Sequence, residues 1–257
     1  MKSSKKAKAA RRRRAPSRRR DRPFVAATFA ITADGKITTR AFSPVDFTSR
    51  EDKAHLIRQR SLGDAVLIGH STLKRDNVRL SIAREELRKE RVARGQSPYP
   101  LRVIVSNEGR IDVNLNLFQT DVSPIVIFST TRMPRRFQKA LREKATLHLS
   151  ETPSVDLRWM LRQLRTDYKV QSIACEGGPA LFRSLLEVDA VDQLNLTLAP
   201  ILFGGKNAPT LAGLNMDFLP ASVRCSLVEM RVVEQECFLT YRIRRPRGRK
   251  TKPSKPR

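Results

Sequence analysis

The segment from Cys175 to Phe182, CEGGPALF, constrains the fold of this chain more than any other stretch. Apolar positions at 170, 173 and 174 precede it, and a mostly apolar run follows it to residue 186. This order predicts a strand, a tight glycine turn and the N-terminus of a helix. Glycines let a backbone approach a ligand closely, and a helix N-terminus offers free N–H groups and a positive dipole end to a phosphate. The segment therefore predicts a nucleotide- or phosphate-binding enzyme.

Strand-like and helix-like patterns alternate along the rest of the chain. Apolar runs predict strands at 24–32, 65–69, 101–105, 125–128, 170–174 and 194–199. Helical spacing and N-cap residues predict helices at 49–62, 71–74, 134–144, 155–165 and 181–186. The charged stretch 83–94 is either a helix or an exposed excursion, and 226–233 with 237–243 predict a closing antiparallel hairpin at the sheet edge. The alternation predicts an α/β fold with a mixed, mainly parallel sheet flanked by helices.

Much of the positive charge lies at the two ends of the chain. The 257 residues include 51 Lys and Arg against 25 Asp and Glu, a net charge of +26. Residues 1–22 hold 12 of the basic residues and one acid, and residues 242–257 hold nine and no acid. We therefore expect disordered basic tails at 1–22 and 245–257 around one domain at 23–244. Such tails bind nucleic acid or another polyanion weakly, anionic lipid, or nothing specific.

Some kinds of site and compartment are disfavoured by the sequence. The three cysteines and three histidines lack the spacing of metal ligands, so we expect no metal site. The apolar runs are far shorter than the roughly 20 residues that span a bilayer. The basic N-terminus is not followed by the apolar segment of a signal peptide. We therefore expect a cytoplasmic protein with no membrane span.

Four motifs follow one another along the body of the chain. They are TADGKI at 32–37, DAVLIG at 64–69 followed by Thr72 and DNVRL at 76–80, EGGP at 176–179, and APILFGG at 199–205. Together they resemble the reductase domain of riboflavin biosynthesis, a family with the dihydrofolate-reductase type of fold. The resemblance covers 23–244. It implies hydride transfer from NADPH to C1′ of a phosphorylated ribosylamino-pyrimidinone, which opens the sugar to a ribitylamino chain. The signature of the zinc deaminase domain that some relatives carry is absent from the sequence.

The resemblance also implies which residues form the site. Cofactor contacts are expected at Ala30, Gly69, Thr72, Asp76, Asn107, Gly177, Gly178, Pro179, Ala180, Leu181 and Phe182. Substrate contacts are expected at Arg60, Leu80 and Glu176, with Glu176 and Asp76 as the catalytic residues beside the nicotinamide. No general acid is evident, so water or the substrate itself would supply the proton. The family further implies a homodimer, formed through the late edge strands.

The substrate side departs from the family pattern. Ala83 stands where many relatives have Arg, Val78 replaces a Pro, Pro44 a Ser, and Asp46 an aromatic residue. Two alternatives therefore stay open. One is a reductase of the same fold that acts on another pteridine-like or imine substrate, and the other is a polyanion-binding protein with an inactive reductase body. The glycine turn also has a purely structural interpretation, and the sequence does not choose between NADPH and NADH.

Overall fold

The computed structural model describes residues 21–38, 47–212, 219 and 222–244. The strands are β1 (Phe24–Thr32), β2 (Ala65–Gly69), β3 (Leu101–Val105), β4 (Ile125–Thr130), β5 (Thr146–Ser150), β6 (Ser172–Cys175), β7 (Gln193–Ala199), β8 (Arg224–Val233) and β9 (Glu236–Arg244). The α-helices are α1 (Arg50–Leu62), α2 (His70–Asp76), α3 (Glu85–Ala93), α4 (Arg135–Arg142), α5 (Leu157–Thr166) and α6 (Pro179–Glu187). In these ranges no helix has the length and apolar character needed to cross a membrane.

The described strands form one sheet in the order β5-β4-β3-β2-β6-β1-β7-β9-β8. The strands from β5 to β7 in that order are parallel to their neighbours. β9 runs antiparallel to β7, and β8 runs antiparallel to β9 at the sheet edge. The predicted mixed, mainly parallel sheet with a C-terminal antiparallel hairpin is therefore confirmed.

Helices cover both faces of the parallel part of the sheet. Ala65 and Leu67 of β2 pack in one apolar cluster with α5 and α6, whereas Val66 and Ile68 pack in a second cluster with α2 and α4. Successive side chains of a strand point to opposite faces, so the two clusters lie on opposite sides of the sheet. β2 is apolar on both faces because both are covered, as in other buried parallel strands.

Several element boundaries differ from the sequence prediction, each for a physical reason. The sequence does not predict β5. Among the described strands it pairs only with β4, at the sheet edge, and its side chains stay partly exposed, so its apolar pattern is weak. α6 begins at Pro179 rather than Leu181. Proline is favoured in the first turn of a helix, because a backbone N–H at that position has no acceptor within the helix and its loss costs nothing. α5 begins at Leu157 because Asp156 caps it by accepting two backbone N–H groups. The charged stretch 83–94 contains a helix, α3.

The first described residues are held against the sheet. Arg22, which the sequence groups with the basic tail, donates to both carboxylate oxygens of Asp192 at 2.7 and 3.1 Å. Asp192 also accepts a hydrogen bond from the Val25 N–H at 3.0 Å, and its side chain is only 2% exposed. The rest of the predicted tails, residues 1–20 and 245–257, lies outside the described residues.

We expect Asp192→Asn to lower the free energy of unfolding by about 2–3 kcal/mol, because it leaves a largely buried guanidinium without its charge partner. Urea unfolding at neutral pH measures the difference. The matched variant Glu90→Gln breaks the surface pairs of Glu90 with Arg58 and Arg94. The Glu90 and Arg58 side chains are 40% and 55% exposed. This variant should cost less than about 1 kcal/mol. Equal losses in the two variants would contradict the structural role of Asp192.

Candidate active site at the carboxyl edge of the sheet

The chain leaves the neighbouring strands β2 and β6 in opposite directions. From β2 it passes through α2 and α3 to β3 on one side, and from β6 it passes through α6 to β7 on the other. Ligands of open α/β sheets bind beyond the carboxyl ends of the strands at such a switch point. Gly69 ends β2 and Glu176 follows β6, so the glycine turn of the sequence lies at this crevice.

A buried ion pair lies beside the crevice. Arg60 Nε and Nη2 donate to Oε1 and Oε2 of Glu176, each at 2.7 Å, and Arg60 Nη1 donates to the carbonyl oxygen of Ser81 at 2.7 Å. The Arg60 and Glu176 side chains are 10% and 8% exposed. Burial alone would lower the pKa of Arg60, but the facing carboxylate outweighs it and raises that pKa. Two predicted substrate-binding residues therefore bind each other directly.

The third predicted substrate contact lies in the same cluster. Leu80 is 1% exposed and has a φ of 56°, in the left-handed region that residues other than glycine seldom adopt. The next residue is Ser81, whose carbonyl accepts the hydrogen bond from Arg60. Backbone strain of this kind persists where the surrounding structure enforces it, and it concentrates at functional sites.

A second buried arginine anchors the end of α1, next to Arg60. Arg91 is 1% exposed, and its Nη1 donates to the carbonyl oxygens of Ser61 and Gly63 at 2.8 and 2.5 Å. These carbonyls belong to the helix end, where acceptors lack partners within the helix. Burial lowers the pKa of Arg91 to about 10, so the guanidinium stays charged at neutral pH. The anchor fixes the helical turn that carries Arg60.

The glycine turn lets α6 begin directly against α2. A Cβ atom at Gly178, the N-cap residue of α6, would lie 2.5 Å from Thr72 Oγ1. A Cβ atom at Gly177 would lie 2.5 Å from Leu181 Cδ2, and one at Gly69 would lie 3.7 Å from Leu181 Cβ. The predicted cofactor residues of α2 and of the turn are thus adjacent in space. The first-turn N–H groups of α6 have no helical acceptor and can bind an anion here.

Asp76 and Ala30 lie farther along the same edge. Asp76 is one turn after Thr72 on the same side of α2, and its exposed carboxylate pairs with Arg75 at 2.6 Å. Ala30 is partly buried near the end of β1, beside Thr197 of β7. Both positions are on elements that reach the crevice.

At the end of β3, the structure places a residue that sequence reasoning missed next to one that it predicted. Asn107 uses its amide oxygen to accept a hydrogen bond from the Val155 N–H at 3.0 Å. The preceding Ser106 is 7% exposed, and its hydroxyl lies 3.3 Å from His70 Nδ1. Burial, reinforced by Lys74, lowers the pKa of His70 and favours its neutral form at pH 7. The signal in the sequence that could have identified Ser106 is a hydroxyl residue directly after a buried apolar strand.

Asp34 joins the turn after β1 to the glycine loop after β7. Its carboxylate accepts hydrogen bonds from the Thr32 hydroxyl and from the N–H groups of Phe203 and Gly204, the last at 2.7 Å. The Thr32 hydrogen bond and the two backbone donors lower the pKa of Asp34. Gly204 and Gly205 have φ values of 63° and 82°, which favour glycine. Two of the four sequence motifs therefore form one connected piece of structure.

A buried polar group beneath α1 was also missed from sequence. Asn195 of β7 is 1% exposed, and its amide donates to Gln59 Oε1 at 3.0 Å and to Thr28 Oγ1 at 3.2 Å. Gln59 immediately precedes Arg60, so this contact ties the end of α1 to β1 and β7. An amide inside the apolar run LNLTLA was the signal.

The remaining sequence features have simpler outcomes. Of the departures on the substrate side, Val78 and Ala83 flank Leu80, while Pro44 and Asp46 lie outside the described residues. Within the described ranges no group of three His, Cys, Asp or Glu side chains is arranged to hold a metal. Cys175 is fully buried in the core, and this burial raises the pKa of its thiol to about 12.

The family model described as the RibD C-terminal domain matches residues 23–239, which is most of the chain. The chain belongs to the RibD C-terminal domain family. The resemblance inferred from the four motifs is thereby confirmed. The 2,5-diamino-6-ribosylamino-4(3H)-pyrimidinone 5′-phosphate reductase of Archaeoglobus fulgidus is 28% identical over 190 residues, which cover 74% of this chain and 86% of that protein. The protein of the same name from Methanothermobacter thermautotrophicus is 27% identical over 224 residues, covering 87% of this chain and 99% of the relative.

Solved structures of other proteins share this fold. A pyrimidine reductase-like protein from Corynebacterium diphtheriae superposes with a TM-score of 0.75 at 20% identity. The superposition covers 90% of this chain and 96% of the C. diphtheriae chain. RibD of Acinetobacter baumannii gives a TM-score of 0.71 at 18% identity, covering 87% of this chain and 58% of its own. The fold predicted from the resemblance is confirmed.

We expect Gly178→Ala to lower the free energy of unfolding by about 1–3 kcal/mol, because the new Cβ overlaps Thr72 Oγ1 and forces α6 away from α2. Thr72→Ala removes the overlapping oxygen, so the double variant should recover most of that loss. Urea unfolding of both single variants and the double variant forms the cycle. Strictly additive losses would show that the two residues are not in contact.

Proposed function

We propose that this protein is an NADPH-dependent reductase of a ribosylamino-pyrimidinone 5′-phosphate, acting in riboflavin biosynthesis. The observation that carries the proposal is the cluster of Arg60, Leu80 and Glu176 beside the glycine turn, in a chain of the RibD C-terminal domain family. Reductases of the diaminopyrimidinone type support the choice of substrate, because this chain covers 86% and 99% of two of them.

The edge of the sheet at which α6 begins beside α2 suits a dinucleotide. Glycine at 178 leaves room for Thr72 to lie against the start of α6, and a Cβ there would fill that space. The free N–H groups at this helix N-terminus favour the pyrophosphate, with Thr72 and Gly69 beside it. Asp76, Asn107 and Ala30 extend the contact surface on either side. The bound cofactor supplies the hydride, and the protein supplies orientation and electrostatics.

Arg60 and Glu176 are suited to hold the substrate in a fixed orientation. A guanidinium has five N–H donors, and Arg60 uses three of them on Glu176 and Ser81, so two remain for phosphate or hydroxyl oxygens. Glu176 keeps lone pairs that accept from amino or hydroxyl groups of the substrate. Both of its oxygens already bind Arg60, and Asp76 pairs with Arg75, so we propose that water or the substrate supplies the proton.

A reductase of the same fold with another substrate is the second candidate, and the departure at Ala83 favours it. Ala83 is exposed and offers no charge to a substrate phosphate. The neighbouring Arg79 and Arg84 are exposed and are the cations available to replace the missing one. Oxidation of NADPH with a pteridine, but not with the ribosylamino-pyrimidinone, would decide for this candidate.

We expect Arg60→Lys to lower kcat/KM about 10- to 100-fold, mainly through KM, because lysine cannot form the paired hydrogen bonds to Glu176. Steady-state oxidation of NADPH in the presence of the pyrimidinone phosphate measures the change. Arg58→Lys is the matched control, since Arg58 lies on the same helix but is 55% exposed and pairs with Glu90 on the surface. The control should keep wild-type kinetics, and an unchanged KM in Arg60→Lys would contradict the assignment.

We also propose that a second copy of the chain covers β8. This strand is at the sheet edge and exposes Leu227, Val228, Met230 and Val232 by 53–62%. An uncovered apolar edge strand is an unusual feature of a monomer, since it invites pairing with another chain.

Light scattering should give twice the 29.2 kDa chain mass for the wild type. Met230→Glu combined with Val232→Glu should give the monomer, because the two charges would be buried in the interface. Val92→Glu, on the exposed surface of α3, serves as the control and should stay dimeric. A wild-type monomer, or a dimer that survives the double change, would overturn this interface.

A further inference from the structure

The positive charge of the folded body is concentrated at one helix. Residues 23–244 carry 32 basic and 24 acidic side chains, an excess of eight. Residues 132–144, which include α4, hold six of the basic side chains and one acid, Glu143, an excess of five. The rest of the body therefore carries an excess of only three. We call these cations the α4 basic surface; they are Arg132, Arg135, Arg136, Lys139, Arg142 and Lys144.

The cations of the α4 basic surface are exposed and not neutralised locally. All six are exposed, and none has a carboxylate partner within ion-pair distance among the residues that the structure describes. The neighbouring helix α3 differs, because Lys89 pairs with Glu85 at 2.9 Å and Arg94 with Glu90 at 3.6 Å. A surface with unneutralised charges of one sign attracts partners of the opposite sign.

The geometry of α4 favours a phosphate backbone over a membrane surface. Arg135, Lys139 and Arg142 lie four and three residues apart, so they form one stripe about 10 Å long. The apolar side of α4 packs against the core of the protein, since Leu141 is fully buried in an apolar cluster and Phe137 packs against that cluster. An interfacial helix instead inserts its apolar side into lipid. Four of the six cations are arginines, whose planar guanidinium can bind two phosphate oxygens at once.

We propose that the α4 basic surface binds the phosphate backbone of nucleic acid without reading its sequence. The points at which the described chain begins and ends support this. The described chain enters at the start of β1 and leaves at the end of β9, and both points lie at the amino edge of the parallel strands, where α4 also ends. β4 and β1 are four places apart in the sheet, roughly 20 Å. A strand of about six nucleotides covers that distance, so one molecule bound at α4 can reach the point where the basic segment 1–20 joins the described chain.

The test uses the full chain and a labelled single-stranded RNA of mixed sequence, with binding followed by fluorescence anisotropy over a range of salt concentrations. One variant combines Arg135→Gln, Lys139→Gln and Arg142→Gln. The control combines Arg158→Gln, Arg162→Gln and Lys169→Gln, which removes three exposed charges on α5 or just after it, on the opposite face of the sheet. Thermal unfolding and NADPH oxidation should be unchanged in both.

Each contact with a single-strand phosphate contributes about 0.7 to the slope of log affinity against log salt. The α4 variant should therefore reduce the slope by about 2 and weaken binding about 100-fold at 0.1 M salt, while the control changes the slope by less than about 0.5. Equal effects of the two variants would show that net charge alone matters, and would overturn the proposal. Unchanged binding in the α4 variant, with all binding lost on deletion of 1–20 and 245–257, would overturn it too. If the α4 variant loses binding to phosphatidylglycerol vesicles but keeps its binding to RNA, the surface binds membranes and the proposal is overturned.

Discussion

The paired hydrogen bonds between Arg60 and Glu176 join the end of α1 to the turn that begins α6, and the candidate site depends on this contact. Both groups are almost completely removed from water, so replacing either one would leave a buried polar group without its partner. The surrounding contacts support the pair. Arg91 fixes the last turn of α1 from one side, and Asn195 holds Gln59 from the other. The result is a rigid polar wall beside the glycine turn.

The sheet order explains why four separate sequence motifs can form one site. β2, β6, β1 and β7 are neighbours in space although the chain visits them far apart, and all four end at the same edge. Each motif begins or ends at one of these strand ends. Thr72 then contacts the turn after β6, and Asp34 contacts the loop after β7. A parallel sheet thus collects loops from distant parts of the sequence around one crevice.

The fold and the family could be predicted from the sequence, because apolar periodicity and glycine positions are local signals. Other features are not local. Arg60 and Glu176 are 116 positions apart, and nothing in either segment says that they bind each other. Ser106 and Asn195 are single polar residues whose burial appears only in the folded chain. The composition did not reveal the concentration of charge at α4, because the tails are still more basic. The sequence did not predict β5, because the side chains of this edge strand are partly exposed and its apolar pattern is weak.

The most direct measurement is the fate of the hydride. The protein would be incubated with the ribosylamino-pyrimidinone phosphate and with NADPH carrying deuterium at the transferring position of the nicotinamide, and the product would be analysed by mass spectrometry. The proposed reaction places one deuterium at C1′ of a ribitylamino product, so the product should be heavier by one mass unit than the product formed with ordinary NADPH. Unconsumed NADPH, or a reduced product without deuterium, would contradict the proposed reductase function.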